Sequence, residues 1–310
     1  MTRPIAKHAN VPARPRRRHE SSLPFRAALV VALAATFAFA LPVIYVAFVQ
    51  HVNPSSPARV AMSGLEAGAC MSFEPNGRSS RETVFLDPGH GGLDPGVVGR
   101  AGGQQVREKD VTLAVATRLT ALLHRDGYRV VMSRTSDTSV HQLSADDAVG
   151  GALTASAVHR DLLARALCAN AASASVLVSI HFDAFDDPSV GGTETFYDAA
   201  RPFASENQRL ARDLQAALVS GLGTTDRGAW TDEQLTAPQL TESGSAYGHL
   251  IELGPAAPGW VETPSQMPGA LVEPLFLTNA AEAQLASDPA GQQRIAEALR
   301  AGLQKYFGRT

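Results

Sequence analysis

Two histidines and one glutamate in this chain have the side-chain types of a metal site. His90 comes shortly after residues 83–86, a buried-strand pattern, and His181 directly follows a second one at 176–180. If both strands are parallel, their carboxyl ends meet at one edge of a sheet, and Glu108 lies in the segment that must cross that edge. Two imidazoles and one carboxylate, with a fourth position open to water, are a common catalytic zinc set. The residues therefore predict a zinc site.

Zinc in such a site lowers the pKa of bound water and polarises a carbonyl oxygen, which suits amide hydrolysis. The reaction also needs a general base that passes a proton from the water to the leaving nitrogen. Two glutamates at predicted strand ends, Glu252 and Glu273, are candidates for this base. His249 is an alternative metal ligand. Each histidine, taken singly, could instead be an ordinary polar residue at a strand end.

Alternating strand and helix patterns predict an α/β domain. The strand patterns are at residues 83–86, 128–132, 176–180, 193–197, 250–253 and 270–273. The helical patterns are at residues 111–123, 160–171, 206–222 and from 279 to the end, with a break at 288–289. Residues 137–158 are interpreted as a surface insertion and 223–248 as irregular. We predict a three-layer sandwich with a mostly parallel central sheet, formed by residues 82–310 as the catalytic domain.

The amino-terminal part of the chain has a different composition. Residues 1–26 carry seven Arg or Lys against one Glu, which predicts a disordered cytoplasmic tail. Residues 27–49 contain no charge and are long enough for a single transmembrane helix that anchors the chain. Residues 50–81 are interpreted as a linker. A cleaved signal peptide is the alternative, because Ala38-Phe39-Ala40 resembles a cleavage site, although the apolar run continues to residue 49.

Charge and cysteine content limit the partners and the compartment. The net charge is −3 despite the basic tail, so the remaining chain is acidic, which argues against nucleic acid as a partner. We expect a monomer on the cell membrane with its catalytic domain outside the cytoplasm. In that oxidising compartment, Cys70 and Cys168 fit one disulfide, and two buried thiols are the alternative. Arg134 and Arg165 are interpreted as members of surface ion pairs rather than as binders of a substrate carboxylate.

Five short motifs, taken together and in order, resemble the zinc-dependent N-acetylmuramoyl-L-alanine amidases of the cell wall, the amidase-3 family. They are Val-Phe-Leu-Asp-Pro-Gly-His-Gly-Gly at 84–92, Glu-Lys-Asp at 108–110, Ser-Ile-His at 179–181, Ala-Leu-Val-Glu at 270–273 and Phe-Leu-Thr-Asn at 276–279. The resemblance covers about residues 83–307. It implies that His90, Glu108 and His181 are the zinc ligands. It also implies that Glu273, rather than Glu252, is the catalytic carboxylate.

The resemblance implies hydrolysis of the amide bond between N-acetylmuramic acid and the L-alanine of the stem peptide in peptidoglycan, by zinc-activated water. Phe182 and Pro274 depart from the usual family pattern, next to His181 and Glu273 respectively. Two other functions stay open. One is another extracytoplasmic zinc peptidase or deacetylase. The other is a catalytically silent wall-binding regulator. The presence of all four side chains, the three implied zinc ligands and Glu273, argues against this second function.

Overall fold

A mixed β-sheet flanked by helices makes up the described part of this computed structural model, which comprises residues 57–234 and 247–309. The strands are β1 (Ala58–Arg59), β2 (Ala69–Phe73), β3 (Thr83–Pro88), β4 (Val98–Ala101), β5 (Gln104–Arg107), β6 (Arg129–Arg134), β7 (Ala148–Val149), β8 (Ala152–Leu153), β9 (Val176–Ile180), β10 (Thr193–Tyr197), β11 (Asp226–Thr231) and β12 (Gly269–Glu273). The helices are α1 (Glu108–Arg125), α2 (Ala155–Ala171), α3 (Ala204–Leu222), α4 (Ala280–Ser287) and α5 (Pro289–Tyr306).

The main sheet has eight strands in the order β1-β2-β6-β3-β9-β12-β10-β11. Its four central strands, β6, β3, β9 and β12, are mutually parallel. The pair β10 and β11 is parallel within itself but runs opposite to this group. The strands β4 and β5 form a separate hairpin, as do β7 and β8. The predicted α/β fold with a mostly parallel sheet is confirmed.

Alternate residues of the central strands pack into two different layers, because successive side chains of a strand point to opposite faces. Val84 and Leu86 of β3 join the apolar core that also contains residues of α1, α3, α4 and α5. Phe85, between them, joins a second core with residues of α2. Helices therefore cover both faces of the sheet. This arrangement fits the predicted three layers.

Two helix boundaries follow directly from capping residues near the carboxyl terminus. The side chain of Asn279 accepts hydrogen bonds from the amides of Ala281 and Glu282 and thereby starts α4. The side chain of Asp288 accepts from the amide of Gly291, and Pro289 occupies the first turn of α5. The predicted break at 288–289 is therefore the junction between α4 and α5.

The folded domain begins before residue 82, which corrects the interpretation of residues 50–81 as a linker. Within that stretch, β2 pairs with β6 in the main sheet. A disulfide joins Cys70 of β2 to Cys168 of α2, as hypothesised, with 5.8 Å between their Cα atoms. The strand was missed because it is only five residues long and lies in a segment rich in Pro, Ser and Gly.

The predicted tail, residues 1–26, and the predicted membrane segment, residues 27–49, lie outside the described residues. Within residues 57–234 and 247–309, no helix combines the length and the apolar character needed to cross a membrane.

Three further boundaries differ from those predicted. The strand β11 lies within residues 223–248, which we predicted to be irregular. Residues 250–253 are a turn rather than a strand, with the amides of Leu253 and Gly254 donating to the carbonyl of Leu250. The apolar side chains of this turn pack into the core on the sheet face that carries α2. They do not alternate between two faces, as the side chains of a strand would. In the predicted insertion 137–158, Thr154 caps α2, so the helix begins at Ala155 and not at residue 160.

Candidate metal centre and active site

The pairing of β3 with β9 brings two histidines to the carboxyl edge of the central strands. Pro88 lies opposite Ile180 in this parallel pair, and His181 is the next residue after Ile180. His90 lies two residues beyond Pro88, in a left-handed backbone conformation with φ of 62°. The Nε2 atom of His90 is 3.1 Å from the Nδ1 atom of His181. The structure thus brings together the two imidazoles that the strand pattern suggested.

Two glycines leave the space that this arrangement requires. A Cβ atom on Gly89 would lie 2.2 Å from Cε1 of His181, and one on Gly96 would lie 2.5 Å from Oε2 of Glu108. Such contacts are far shorter than van der Waals distance, so only glycine fits at either position. The glycine-rich sequence around His90 therefore permits the close packing of the polar side chains.

Glu108 is the first residue of α1 and completes the cluster. Its Oε1 atom is 2.9 Å from Nε2 of His90 and 3.0 Å from Nδ1 of His181. Backbone amides hold the carboxylate, since Phe182 donates to Oε1 and Val97 donates to Oε2. Burial by itself would raise the pKa of Glu108, but hydrogen bonds with the two histidines outweigh it and lower the pKa. An ionised carboxylate and two imidazoles thus converge on one point.

Asp94 orients the imidazole of His90 from the side that faces away from the cluster. Its Oδ2 atom is 2.8 Å from Nδ1 of His90, so Nδ1 is held by the carboxylate and Nε2 faces the cluster. Burial lowers the pKa of His90, but the bonds to Asp94 and Glu108 outweigh it and raise the pKa to about 9. Sequence reasoning missed Asp94. The available signal was a carboxylate four residues after a histidine in a turn.

Arg165 is buried rather than at the surface, which corrects its interpretation as a surface ion-pair residue. Its guanidinium pairs with Asp87 at 2.8 Å and with Asp161 at 2.7 Å, and it donates to the carbonyl of His90 at 2.8 Å. Burial tends to raise the pKa of Asp87, but the charge of Arg165 outweighs it and lowers the pKa to about 2. This network links α2 to the end of β3 and to the turn that carries His90.

Arg134 is also buried, with none of its surface exposed, so its interpretation as a surface residue is wrong as well. It donates to the carbonyl oxygens of Pro88, Gly89 and Lys109 at 2.8 to 3.0 Å. Both arginines therefore satisfy backbone carbonyl groups around His90, which a buried turn would otherwise leave without partners. The sequence showed the two charges but gave no sign of their burial.

Glu273 ends β12 beside the histidine cluster. The amide of His181 donates to the carbonyl of Val272 at 2.9 Å, so Glu273 follows directly after the residue that holds His181 in register. The Oε2 atom of Glu273 is buried and has no hydrogen-bond partner among the described residues. Burial raises the pKa of Glu273 well above its usual value, and the charges of Asp183, Glu108 and Glu194 raise it further.

A cleft of about 240 Å³ opens at Glu273. Charged and aromatic side chains line it, among them Asp183, Phe185, Arg227 and Trp230. The rings of Phe185 and Trp230 are exposed, whereas the guanidinium of Arg227 is held by Glu194 at 3.1 Å. The cleft thus combines a proton-binding carboxyl group, a fixed positive charge and apolar surfaces.

The other glutamate, Glu252, has a different environment. It lies in the buried turn at 250–253 and borders a narrow cavity with Ser179 and His181, on the sheet face that carries α2. Burial, and then the charge of Asp87, raise the pKa of Glu252 well above its ordinary value. Glu252 therefore lines the narrow cavity on the α2 side of the sheet, while Glu273 lines the cleft of about 240 Å³.

Three other residues that the sequence analysis singled out do not belong to the histidine–glutamate cluster. His249 does not join the cluster of His90, Glu108 and His181, and lies instead against Asp198 and Asp232. Phe182, a departure from the family pattern, is buried in the apolar core. Pro274, the other departure, has its carbonyl bound by the hydroxyl of Thr193.

The fold and the site define an α/β domain with a His-Glu-His cluster at the carboxyl edge of its central strands. Residues 84–305 match the family model described as N-acetylmuramoyl-L-alanine amidase. The chain belongs to this family.

Two relatives from Bacillus subtilis (strain 168) show the extent of the similarity. The germination-specific N-acetylmuramoyl-L-alanine amidase is 31% identical over 228 residues, which cover 74% of this chain and 81% of that protein. The N-acetylmuramoyl-L-alanine amidase LytC is 31% identical over 226 residues, covering 73% of this chain but only 36% of that protein. This chain therefore matches about a third of the length of LytC.

The crystal structure of N-acetylmuramoyl-L-alanine amidase from Clostridium difficile 630 has the same fold. It superposes with a TM-score of 0.54 and 29% sequence identity, and the match covers 74% of this chain and 98% of that one.

Proposed function

We propose that this protein hydrolyses the amide bond between N-acetylmuramic acid and the L-alanine of the stem peptide in peptidoglycan. The observation that carries the proposal is the position of Glu273, at the end of a strand whose neighbour delivers His181 to a cluster with His90 and Glu108. Membership of the amidase family supports the choice of bond.

The cluster fits zinc by its donor chemistry. The donor atoms Nε2 of His90, Oε1 of Glu108 and Nδ1 of His181 are within 3.1 Å of one another. The second nitrogen of His90 is held by a carboxylate, as is typical of metal-ligating histidines. Bound zinc would supply a Lewis acid that polarises the scissile carbonyl and acidifies water. His90, Glu108 and His181 are the residues that would hold it.

Glu273 is the residue that moves the proton. It accepts a proton from the attacking water and returns it to the leaving amide nitrogen. Burial and the negative charge of Glu194 favour its protonated form, which suits a group that must keep the proton until the nitrogen leaves. Because Oε2 is shielded and free of hydrogen bonds to the described residues, it is available for this transfer.

The cleft beside Glu273 is where we place the substrate. Arg227 is fixed by Glu194 and by stacking of its guanidinium on the ring of Phe276, 4.8 Å from the ring centroid. It presents donors for a carbonyl or carboxylate group of the stem peptide. The exposed rings of Phe185 and Trp230 offer flat apolar surfaces for the sugar or for peptide methyl groups.

We further propose that the enzyme acts outside the cytoplasm and that residues 27–49 attach it to the membrane. The uncharged apolar run behind a basic segment supports this orientation. The disulfide between Cys70 and Cys168 supports an oxidising compartment, because such bonds are rare in the cytosol.

The test is a digest of purified peptidoglycan with the full-length protein in detergent, analysed by mass spectrometry. We expect free stem peptides with L-alanine at the amino terminus, lost on chelation and restored by Zn²⁺. A His181→Ala variant serves as the inactive control. Cleavage within the stem peptide, or loss of acetyl groups alone, would show that the protein is a different hydrolase. Undigested peptidoglycan with zinc-loaded protein would contradict the proposal.

A further inference from the structure

A second cluster of metal-binding side chains lies away from the proposed amidase centre. Asp198 follows β10, and Asp232 follows β11. These two strands are parallel to each other, and Tyr197 lies opposite Thr231 at their carboxyl ends. Because they run opposite to β12, their carboxyl ends lie at the edge of the sheet remote from Glu273. The strand topology therefore delivers two carboxylates to one place, as it delivers two histidines at the other edge.

His249 completes this second cluster. Its Nδ1 atom is 2.9 Å from Oδ2 of Asp198 and 3.5 Å from Oδ1 of Asp232. Both aspartate side chains are fully buried, and the side chain of His249 is 19% exposed. Each of the three residues offers one ligand atom, and these atoms all lie within 4.8 Å of one another.

The three converging atoms have no hydrogen-bond partner among the described residues. The other oxygens of the two carboxylates are already used, since Ala200 donates its amide to Oδ1 of Asp198 and Leu250 donates its amide to Oδ2 of Asp232. Those bonds fix both carboxylates so that their free oxygens face His249. Buried polar atoms without partners are rare in folded proteins and call for an explanation.

An ion pair with protonated His249 opposes the rise in the pKa of Asp232, but it leaves the three converging atoms without hydrogen bonds among the described residues. Despite the short distance between them, neither Nδ1 of His249 nor Oδ2 of Asp198 makes a hydrogen bond, so the ring N–H does not point at the carboxylate. The nearby cation Arg201 is engaged elsewhere, with the carbonyl groups of Leu253 and Gly254. Burial, together with the charge of Asp198, raises the pKa of Asp232 to about 6. A cation between the two carboxylates would relieve this repulsion.

The two separations at His249 are compatible with a metal site. In a tetrahedral zinc site, ligand bonds of about 2.0 to 2.2 Å place neighbouring donors a little over 3 Å apart. The separations of 2.9 and 3.5 Å at His249 lie on either side of that value, and the donors of the first cluster are 2.9 to 3.1 Å apart. One imidazole with two carboxylates favours a first-row transition ion over Ca²⁺, which takes six to eight oxygen ligands.

We propose that Asp198, Asp232 and His249 bind a second divalent transition-metal ion, with Zn²⁺ as the first candidate. The ion ties the ends of β10 and β11 to the residues next to His249. We assign it a structural role, because it lies at the opposite edge of the sheet from Glu273 and none of its three side chains is among the described residues that line the substrate cleft. Its occupancy does not depend on the amidase activity of the protein.

The first test counts metal ions in the purified full-length protein. After loading with Zn²⁺ and gel filtration, elemental analysis should give two zinc ions per chain in the wild type. The variants Asp232→Asn and His90→Ala/His181→Ala should each retain one, and their combination should retain none. Asparagine keeps the oxygen that accepts from Leu250, so this change preserves the local fold. A wild type whose zinc is retained in full by Asp232→Asn, or no zinc in the folded His90→Ala/His181→Ala variant, would overturn the proposal.

A spectroscopic test isolates the second site. In the His90→Ala/His181→Ala variant, added Co²⁺ should produce visible d–d absorption bands, and these should disappear when Asp232→Asn is added. Circular dichroism establishes that each variant is folded, and Asp198→Asn replaces Asp232→Asn if the latter is not. Bands that persist in the folded combined variant would place the ion elsewhere and contradict the assignment.

Discussion

Glu273 lies directly opposite Glu194 in the antiparallel pairing of β12 with β10. The carboxylate of Glu194 is bound by Arg227 at 3.1 Å, while Oε2 of Glu273 has no hydrogen-bond partner in the described part of the chain. Two acidic residues that share one cross-strand position thus have different environments. One is held as an ion pair, and the other is left to carry a proton.

The first prediction concerns the pH dependence of activity. Burial, and then the charges of Asp183, Glu108 and Glu194, raise the pKa of Glu273. Because a general base must be ionised, a raised pKa moves the ascending limb of the pH–rate profile to higher pH. In Glu194→Gln one of these negative charges is lost, so the limb should move to lower pH. The exposed Glu297→Gln is the charge-matched control, and an equal shift in both variants would refute the explanation.

The second prediction concerns the residue behind His90. Asp94→Asn weakens the support of the imidazole, and we expect zinc affinity at this site to fall about 10- to 100-fold. Competition with a chromophoric chelator measures this affinity, with Asp232→Asn present in both proteins so that only one site is counted. Asp110→Asn, in the exposed pair with Arg107, is the control. Unchanged affinity in Asp94→Asn would contradict the orienting role.

The third prediction concerns the buried arginine. Arg165→Met leaves Asp87 and Asp161 without their cation, so we expect the free energy of unfolding to fall by about 3 to 5 kcal/mol. Arg107→Met, in an exposed ion pair, should cost less than about 1 kcal/mol. Urea denaturation of both variants provides the comparison. Similar losses in the two would mean that the buried network does not stabilise the turn at His90.

The fourth prediction concerns the disulfide. Replacing both Cys70 and Cys168 with alanine should lower the free energy of unfolding by about 2 to 5 kcal/mol. A reductant should lower the melting temperature of the wild type towards that of the double variant and leave the double variant unchanged. Insensitivity of the wild type to a reductant in the unfolding range would argue against the bond.

Much of the site could be predicted because its residues lie at the ends of strongly apolar strands. The runs before His90 and His181 specify buried parallel strands, and parallel strands place their carboxyl ends together. The general base could not be chosen from the pattern, since Glu252 and Glu273 both follow apolar runs. The fold gives them different surroundings, because the turn containing Glu252 packs into the core on the α2 side of the sheet while Glu273 ends β12.

The features that the sequence did not reveal depend on contacts between residues that are far apart along the chain. Arg165 pairs with Asp87 across 78 positions, so local charge patterns gave no sign of the contact and favoured a surface position. The second cluster was missed for the same reason, since Asp198, Asp232 and His249 come from three separate segments. The strand β2 was assigned to a linker because its five residues lie in a segment rich in Pro, Ser and Gly, and its partner β6 is more than 50 residues away along the chain.

The most direct test of the central claim compares two glutamine variants of the full-length protein. Release of stem peptides with amino-terminal L-alanine is measured for wild type, Glu273→Gln and Glu252→Gln at equal zinc content. We expect Glu273→Gln to lose about 10²- to 10⁴-fold in rate, as for loss of a general acid–base group, and Glu252→Gln to retain most of it. Full activity in Glu273→Gln with loss in Glu252→Gln would show that the other glutamate is the base.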